Sequence, residues 1–522
     1  MPDPQPLEVP DSTVYDTLFA ALTDADRSRV AIVNGSTGAE MTFGELKDRV
    51  DAFAGWLASQ GITPGGVVGL LAPNGAGFAI AFHGILRAGA TATTINLLYG
   101  ADEITNQLRD AGAVALVTVS SLLPKVRPAL EELGIPAGRV LVLDGAEGHP
   151  SPSDVFEAAL PAPELSIDPA THLAVLPYSS GTTGLPKGVM LTHRNLVANI
   201  AQCEAIGVAG DDVVLAVLPF FHIYGMTVLL NYALRQRARL VTMPRFDLSE
   251  FLRIIAEHRT SWLFIAPPIA VALAKHPAVD EVDTSAVKVV FSGAAPLDAS
   301  LAKAVSDRLG CVVAQGYGMT ETSPVTHVIN WRDASIDRSS IGRVVPGTEA
   351  RVVNAEGSDV PVPDDAPSEP GELWIRGPQV MTGYLNNPDA TAATVDGEGW
   401  LHTGDLATVD ADGIYRIVGR LKELIKYRGY QVPPAMLEAV LLKHPDIADA
   451  AAIGAPDEDG MEFPKAFVVR RAGSELTAEE VMTFVADRVA PHQKVRAVEF
   501  IDTIPKSASG KILRRELRDR NG

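Results

Sequence analysis

Tyr178-Ser179-Ser180-Gly181-Thr182-Thr183-Gly184-Leu185-Pro186-Lys187-Gly188-Val189 is the stretch on which the reading of this chain turns. It follows the apolar run LAVL (173–176) and precedes a helical pattern opened by Thr192. A strand, a glycine- and hydroxyl-rich loop and then a helix is the arrangement in which backbone N–H groups, hydroxyls and a lysine gather around a polyphosphate. The loop is not a Walker A motif, which needs Gly directly before Lys and Ser or Thr directly after it. Here Pro186 precedes Lys187 and Gly188 follows, which disfavours a P-loop kinase or motor. Taken alone, the cluster reads equally well as a surface loop.

Outward from this loop, short apolar runs recur: VVGLL (67–71), VALVTV (114–119), VLVL (140–143), VVLAVL (213–218), LVTM (240–243), LFIA (263–266) and VKVVF (287–291). Helical patterns lie between several of them. One opens at Thr42 with Glu45, a capping box ahead of Leu46, Val50, Phe53, Ala54 and Leu57. Strands alternating with helices predict an α/β fold with parallel-rich sheets and helices on their faces. After about residue 340 the texture changes. GELWIRG (371–377), GWLHTGD (399–405) and GIYRIVGR (413–420) predict a β-rich subdomain, with a turn at 410–413 and a Pro/Asp-rich loop at 360–371. Residues 421–522 predict a small α+β domain, with a helix around 434–443, strands near 466–469 and 495–501, and a last helix after Lys511. The expected division is therefore 1–420 and 421–522.

Composition narrows the function. The chain has 522 residues and is 47% hydrophobic and 21% charged, an ordinary globular mixture. Its 44 basic and 64 acidic residues give a net charge of −20, which argues against sequence-independent nucleic-acid binding. Any anion site must supply local cations against that field. Cys203 and Cys311 form no CxxC or zinc spacing, as expected in a reducing compartment. Residues 52–86 carry no Asp, Glu, Lys or Arg, but prolines and glycines cut them into pieces too short for a membrane span. The first basic residue is Arg27, so the opening lacks the positive region of a signal peptide. A cytoplasmic protein with no membrane or nucleic-acid partner is the expectation.

YSSGTTGLPKGV resembles the phosphate loop of the adenylate-forming acyl- and aryl-CoA synthetases. PFFHIYG (219–225), SGAAPL (292–297), QGYGMTE (315–321), GELWIRG, TGD (403–405), GRLKELIKYRGYQV (419–432) and PKSASGK (505–511) follow in the family's order. Within that family the chain is most similar to the 4-coumarate–CoA ligases. The resemblance implies a large N-terminal adenylation domain and a small mobile C-terminal domain. It also implies ATP and coenzyme A as co-substrates, Mg²⁺, a small aryl acid, and a monomer or weak homodimer.

The resemblance implies roles residue by residue. Ser179, Ser180, Gly181, Thr182, Thr183, Gly184 and Lys187 would hold phosphates, with Thr320 at the α-phosphate. Glu321 would hold Mg²⁺, for which a carboxylate oxygen is suited. Gly293, Ala294, Ala295, Gln315, Gly316 and Tyr317 would enclose the adenine, and Asp405 and Arg420 the ribose. Lys511 would bridge the attacking carboxylate and the α-phosphate, where charge grows in the transition state. Lys422 matches the hinge. Lys426 and Gln431 would act in thiolation, and Tyr427, Arg428, Gly429 and Tyr430 would line the CoA tunnel. His222 would position the carboxylate rather than move protons. Tyr224, Ala294, Gly316, Gly318, Pro324 and Val325 match the hydroxycinnamate pocket. Taken one at a time, Glu321 reads as a turn residue, Asp405 as a cap, Lys511 as a solvated lysine and His222 as a core histidine.

No Asp or Glu lies between Pro219 and Leu234 to pair with an α-ammonium, which disfavours an amino-acid substrate. Ala294 stands where many plant enzymes carry Gly, which narrows the pocket. GELWIRG departs from the plant GEICIRG form. A 4-coumarate- or cinnamate-activating ligase is the expectation. A medium- or long-chain fatty acyl-CoA synthetase is the alternative, and transfer to a carrier protein or a non-catalytic nucleotide-binding protein are rivals.

Overall fold

The computed structural model describes residues 6–179, 186–428, 430–457, 461–506 and 512–520. Each of the seven apolar runs falls on a strand, and the strands sort into two large, mainly parallel sheets. In the first, Val312–Gly318, Val289–Ser292, Trp262–Ile265, Val213–Ala216, Arg239–Thr242 and Val30–Asn34 lie side by side and run parallel. Antiparallel strands close both of its edges. In the second, Leu173–Val175, Thr91–Thr94, Val67–Leu70, Ala113–Thr118 and Val140–Val142 lie side by side and run parallel. Strands buried on both faces need no polar alternation, which is why they read as unbroken apolar runs.

Helices cover both sheets. Thr42 caps Phe43–Ser59 as its sequence predicts: its Oγ1 accepts from Glu45 N at 3.2 Å, and the Glu45 carboxylate accepts from Thr42 N at 2.8 Å. This helix packs on Ala76–Arg87, where a Cβ at Gly84 would lie 2.5 Å from the Phe53 ring. Only glycine permits that approach. The charge-free stretch is therefore a helix end, a strand and a buried helix. Among the described residues, no helix is long and apolar enough to cross a membrane.

Residues after 340 form the expected antiparallel sheet, in the order Glu349–Val353, Gly371–Arg376, Leu401–Val409, Tyr415–Arg420. It has its own core of Ile341, Val352, Leu373, Ile375, Ala407, Val409 and Tyr415. Beyond residue 420 come a hairpin (Ile425–Tyr427 with Tyr430–Val432), the helix Pro434–Leu441 and a three-stranded sheet. The longest strand there, Ile447–Pro456, carries no sequence signal. Its sequence, IADAAAIGAP, is alanine-rich, and pairing with Glu462–Arg470 rather than intrinsic preference makes it a strand.

Three buried histidines follow from this packing. Burial pushes the imidazole of His83 down to about 4, and those of His193 and His327 down to about 3. As pH falls through the ordinary 6.5, the unfolded chain takes up protons that the folded chain refuses. Stability therefore rises with pH in this range and is lost on acidification. Chemical denaturation between pH 7 and pH 4.5 is expected to show a falling midpoint. Replacing one of these histidines with a non-titrating residue should make the slope shallower by close to one proton, about 1.4 kcal/mol per pH unit.

Candidate active site

The carboxyl ends of the parallel strands of the first sheet carry the motifs. PFFHIYG leaves Val213–Ala216, SGAAP leaves Val289–Ser292, and GYGMTE ends Val312–Gly318. Crevices at such strand ends are where open α/β sheets bind ligands. The PFFH segment is tied across to the second sheet. Asn74 donates to Ala216 O (3.1 Å) and Leu218 O (2.9 Å) and accepts from Phe220 N (2.8 Å). Thr94 donates to Phe221 O at 2.7 Å.

At one corner sits Glu321, 6% exposed, in the short turn Thr320–Thr322. Its Oε1 accepts from Ser179 Oγ at 2.9 Å and from Tyr384 Oη at 2.8 Å. Burial, and then the Glu321 charge, push the Tyr384 phenol well up, so it remains a donor. Lys187 Nζ lies 4.9 Å from the centre of the Tyr384 ring, a cation–π contact that holds a cation beside this carboxylate. Tyr178–Ser179 pairs antiparallel with Lys187–Thr192, so Ser179 and Lys187 are register partners. Ser180, Gly181, Thr182, Thr183 and Gly184 lie outside the described residues.

Among the described residues, no group of three or more metal-ligating side chains comes together. One enclosed carboxylate in a turn beside a phosphate loop suits Mg²⁺, which takes one or two carboxylates and completes its shell with substrate phosphates and water. Glu321 fits that donor set.

At the other corner Tyr317 Oη donates to Asp405 Oδ2 at 2.6 Å, and Arg420 Nε lies 2.9 Å from Asp405 Oδ1. Asp405 and Arg420 face each other as register partners of adjacent antiparallel strands. Burial opposes the Arg420 charge, yet Asp405, with Glu423, Tyr317 and Glu321, holds its pKa above the ordinary value. Gln315 is 2% exposed. Its amide donates to Arg338 O at 2.7 Å and accepts from Leu297 N at 3.1 Å. The side chain thus braces the loop after Ser292. That loop includes Ala294, held at a φ of +71, with Ala295 beside it partly exposed.

Between the corners Tyr224 is buried, its hydroxyl 3.4 Å from Phe291 O and its ring edge-on to Phe264. A Cβ at Gly293 would lie 2.6 Å from this ring, and one at Gly316 would lie 3.0 Å from Phe291 Cζ. A Cβ at Gly318 would meet Pro324 O at 2.0 Å. The wall formed by Pro324 and Val325 is fixed by Asn199, which accepts from Val325 N (3.0 Å) and donates to Val325 O (2.7 Å). Thr227 donates to Ser323 O at 2.7 Å from within a π-helical stretch, Gly225–Tyr232. Burial pushes the His222 imidazole down to about 4, so at neutral pH the ring is uncharged. That suits a positioning group.

The residues expected to act in the second step lie apart from this cleft's walls. Lys426 is exposed and its N–H donates to Glu462 at 2.8 Å. Gln431 is its register partner in the hairpin. Arg428 takes a φ of +49 at the hairpin's turn, its guanidinium 5.3 Å from the Tyr427 ring. Tyr430 is 56% exposed and stacks on His492, and Lys422 is exposed. Gly429 and Lys511 lie outside the described residues. Lys506 and Ile512, on either side of 507–511, pair as an antiparallel bridge.

A sequence profile described as AMP-binding enzyme matches residues 20–385, and a second, AMP-binding enzyme C-terminal domain, matches residues 436–511. The chain belongs to the AMP-binding enzyme family. This AMP-binding enzyme is 41% identical over 526 residues to a protein of Oryza sativa subsp. japonica named 4-coumarate–CoA ligase 5, covering 98% of this chain and 95% of the other. Among solved structures it is similar to the anthranilate CoA ligase AuaEII in complex with anthranoyl-AMP. There the TM-score is 0.89 and the identity 27%, with 99% of this chain and 98% of that one covered. ATP-bound MatB from Rhodopseudomonas palustris gives 0.87 at 27% identity, covering 97% and 98%.

Sequence reasoning missed Tyr384, Asn74, Thr94, Asn199 and Thr227 in this AMP-binding enzyme. All act through hydrogen bonds to residues far along the chain. The close approach at Gly293 generates a test. Adding a methyl group to a tightly packed site costs about 1–3 kcal/mol. Gly293→Ala is expected to weaken AMP binding about tenfold or more, read by isothermal titration calorimetry. Unchanged affinity would separate this strand end from the nucleotide.

Proposed function

We propose that this enzyme is an ATP-dependent acid–thiol ligase that activates 4-coumarate or a related cinnamic acid and transfers it to coenzyme A. One observation carries the reading. Within residues 315–321 a single strand end and turn reaches from Tyr317, bonded to Asp405, to Glu321, bonded to Ser179. This continuity supports a nucleoside site at Tyr317 and Asp405 adjoining a phosphate site at Glu321 and Ser179.

In the first step a carboxylate oxygen of the acid attacks the α-phosphorus of ATP. The bond to the bridging oxygen breaks, pyrophosphate leaves, and acyl-AMP remains. Asp405 and Arg420 hold the ribose, and the strand ends at Gly293–Ala295 and Gly316–Tyr317 enclose the adenine. Ser179, Lys187 and the loop between them, with Thr320, hold the phosphates. Glu321 would hold Mg²⁺, which when bound neutralises phosphate charge. Lys511 is assigned to the α-phosphate and the attacking carboxylate, where a placed cation acts on the charge that builds in the transition state.

In the second step the CoA thiolate attacks the acyl carbon, the bond to the AMP oxygen breaks, and AMP leaves. We assign this step to the face carrying Lys426 and Gln431, with Arg428, Gly429 and Tyr430 along the CoA path. Residues 421–522 act as a small domain that swings about Lys422 and lets one site perform two chemistries in turn. Separate hydrophobic cores on the two sides of residue 420 support this division. The packed aromatic cluster of Tyr224, Phe264 and Phe291 beside these strand ends, with no carboxylate between 219 and 234, supports an uncharged aryl group over an amino acid.

A panel of acids assayed for AMP release with free CoA tests the substrate. Faster turnover on 4-coumarate than on octanoate is expected, and the reverse order would favour a fatty acid. Lys511→Ala is expected to lower acid-dependent pyrophosphate exchange by roughly a hundredfold or more. Exchange at the wild-type rate would remove Lys511 from the chemistry.

A further inference from the structure

Two ion pairs bracket Leu421 and Lys422, both of which are exposed. On the N-terminal side Arg420 is held by Asp405, 3% exposed, in the neighbouring strand of the four-stranded sheet. On the C-terminal side Glu423 Oε2 lies 2.9 Å from Arg514 Nη1. The Nη2 of Arg514 donates to both oxygens of Glu438, each at 2.7 Å. Glu438 lies in the helix Pro434–Leu441 and accepts from Ala452 N, at 2.9 Å, on the strand Ile447–Pro456. The side chains of Glu423, Glu438 and Arg514 are 15%, 11% and 11% exposed.

One guanidinium thus serves two enclosed carboxylates from opposite edges of its planar fork, a geometry open to arginine and not to lysine. Glu438 has its partners, Arg514 and Ala452, without Glu423. The Glu423 pair is therefore surplus to satisfying the core of this region. Its effect is to fasten the residue after Lys422 to the helix and strand beyond.

We propose that Glu423 and Arg514 are positioning residues that end the hinge. They tie Glu423 to the helix Pro434–Leu441 and the strand Ile447–Pro456, as Asp405 ties Arg420 to the four-stranded sheet. The inference rests on the two-step, swinging reading above. Rotation is then confined to Leu421 and Lys422. Such a short hinge restricts the paths open to the swinging part, so a larger share of molecules occupies the two productive orientations. A hinge longer by even one residue spreads the population over unproductive ones, and both half-reactions lose rate while each substrate still binds.

The test measures the two steps separately in single-turnover experiments, acyl-AMP formation from ATP and acid, then thioester formation from preformed acyl-AMP and CoA. Glu423→Ala is expected to slow both steps about fivefold, with KM for ATP and for CoA within about twofold of wild type. Glu423→Gln, which can still accept from Arg514, is expected to recover part of the loss in both. Thermal unfolding is followed alongside and is expected to change little, because the Arg514–Glu438 pair remains. Wild-type rates in both steps, a loss confined to one step, or a loss of stability with both rates intact would each overturn the inference. A wild-type enzyme that forms no thioester overturns the two-step reading instead.

Discussion

The structure depends on how the Asp405 carboxylate is paired. A charge removed from water must be matched by donors, and the donors here come from two directions. Tyr317 reaches it from the end of the main parallel sheet, and Arg420 from the last strand of the four-stranded sheet. One enclosed anion thereby joins the end of the main parallel sheet to the last two strands of the four-stranded sheet. Arg420 is held from the N-terminal side of Leu421 while Arg514 holds Glu423 from the C-terminal side. What lies between these pairs is two exposed residues.

The same logic governs the corner at Glu321. A chain of net charge −20 repels nucleotides at a distance, so the cleft must attract them locally. Lys187 is seated on the Tyr384 ring, and Tyr384 and Ser179 hold Glu321 by hydrogen bonds from uncharged donors. Neutral donors hold the carboxylate without cancelling its charge, leaving it able to take a cation. Burial keeps the His222 imidazole uncharged at neutral pH.

Much of the fold was legible because apolar runs with glycine and proline boundaries mark buried strands directly, as at 67–71 and 263–266. The capping boxes at Thr42 and Thr192 fall where Thr is followed three residues later by Glu45 or Asn195. Strands Thr91–Thr94 and Ile447–Pro456 were not legible. Threonine and alanine carry little hydrophobic signal, and these segments are strands because neighbours pair with them. In the site, chemistry-bearing residues in tight motifs could be found, as with Glu321, Asp405 and Tyr224. The braces Asn74, Asn199 and Thr227 could not, since an isolated Asn or Thr looks the same in a sequence whether it faces water or holds a distant carbonyl.

By itself the sequence determined which groups the protein possesses for its chemistry: a glycine- and hydroxyl-rich loop, two carboxylates, several lysines and an aromatic stretch, in an order that places them at strand ends. Local patterns suffice for this because periodicity and turn chemistry act over a few residues. Tertiary structure alone decided which of these groups meet. Gln315 turns its amide to Leu297 and Arg338, Glu321 is clasped by Ser179 and Tyr384, and Arg514 reaches back to Glu423. Such pairings join residues tens to hundreds of positions apart. They exist only because packing the sheets and helices removes water and leaves each buried polar group to find its partner within the protein.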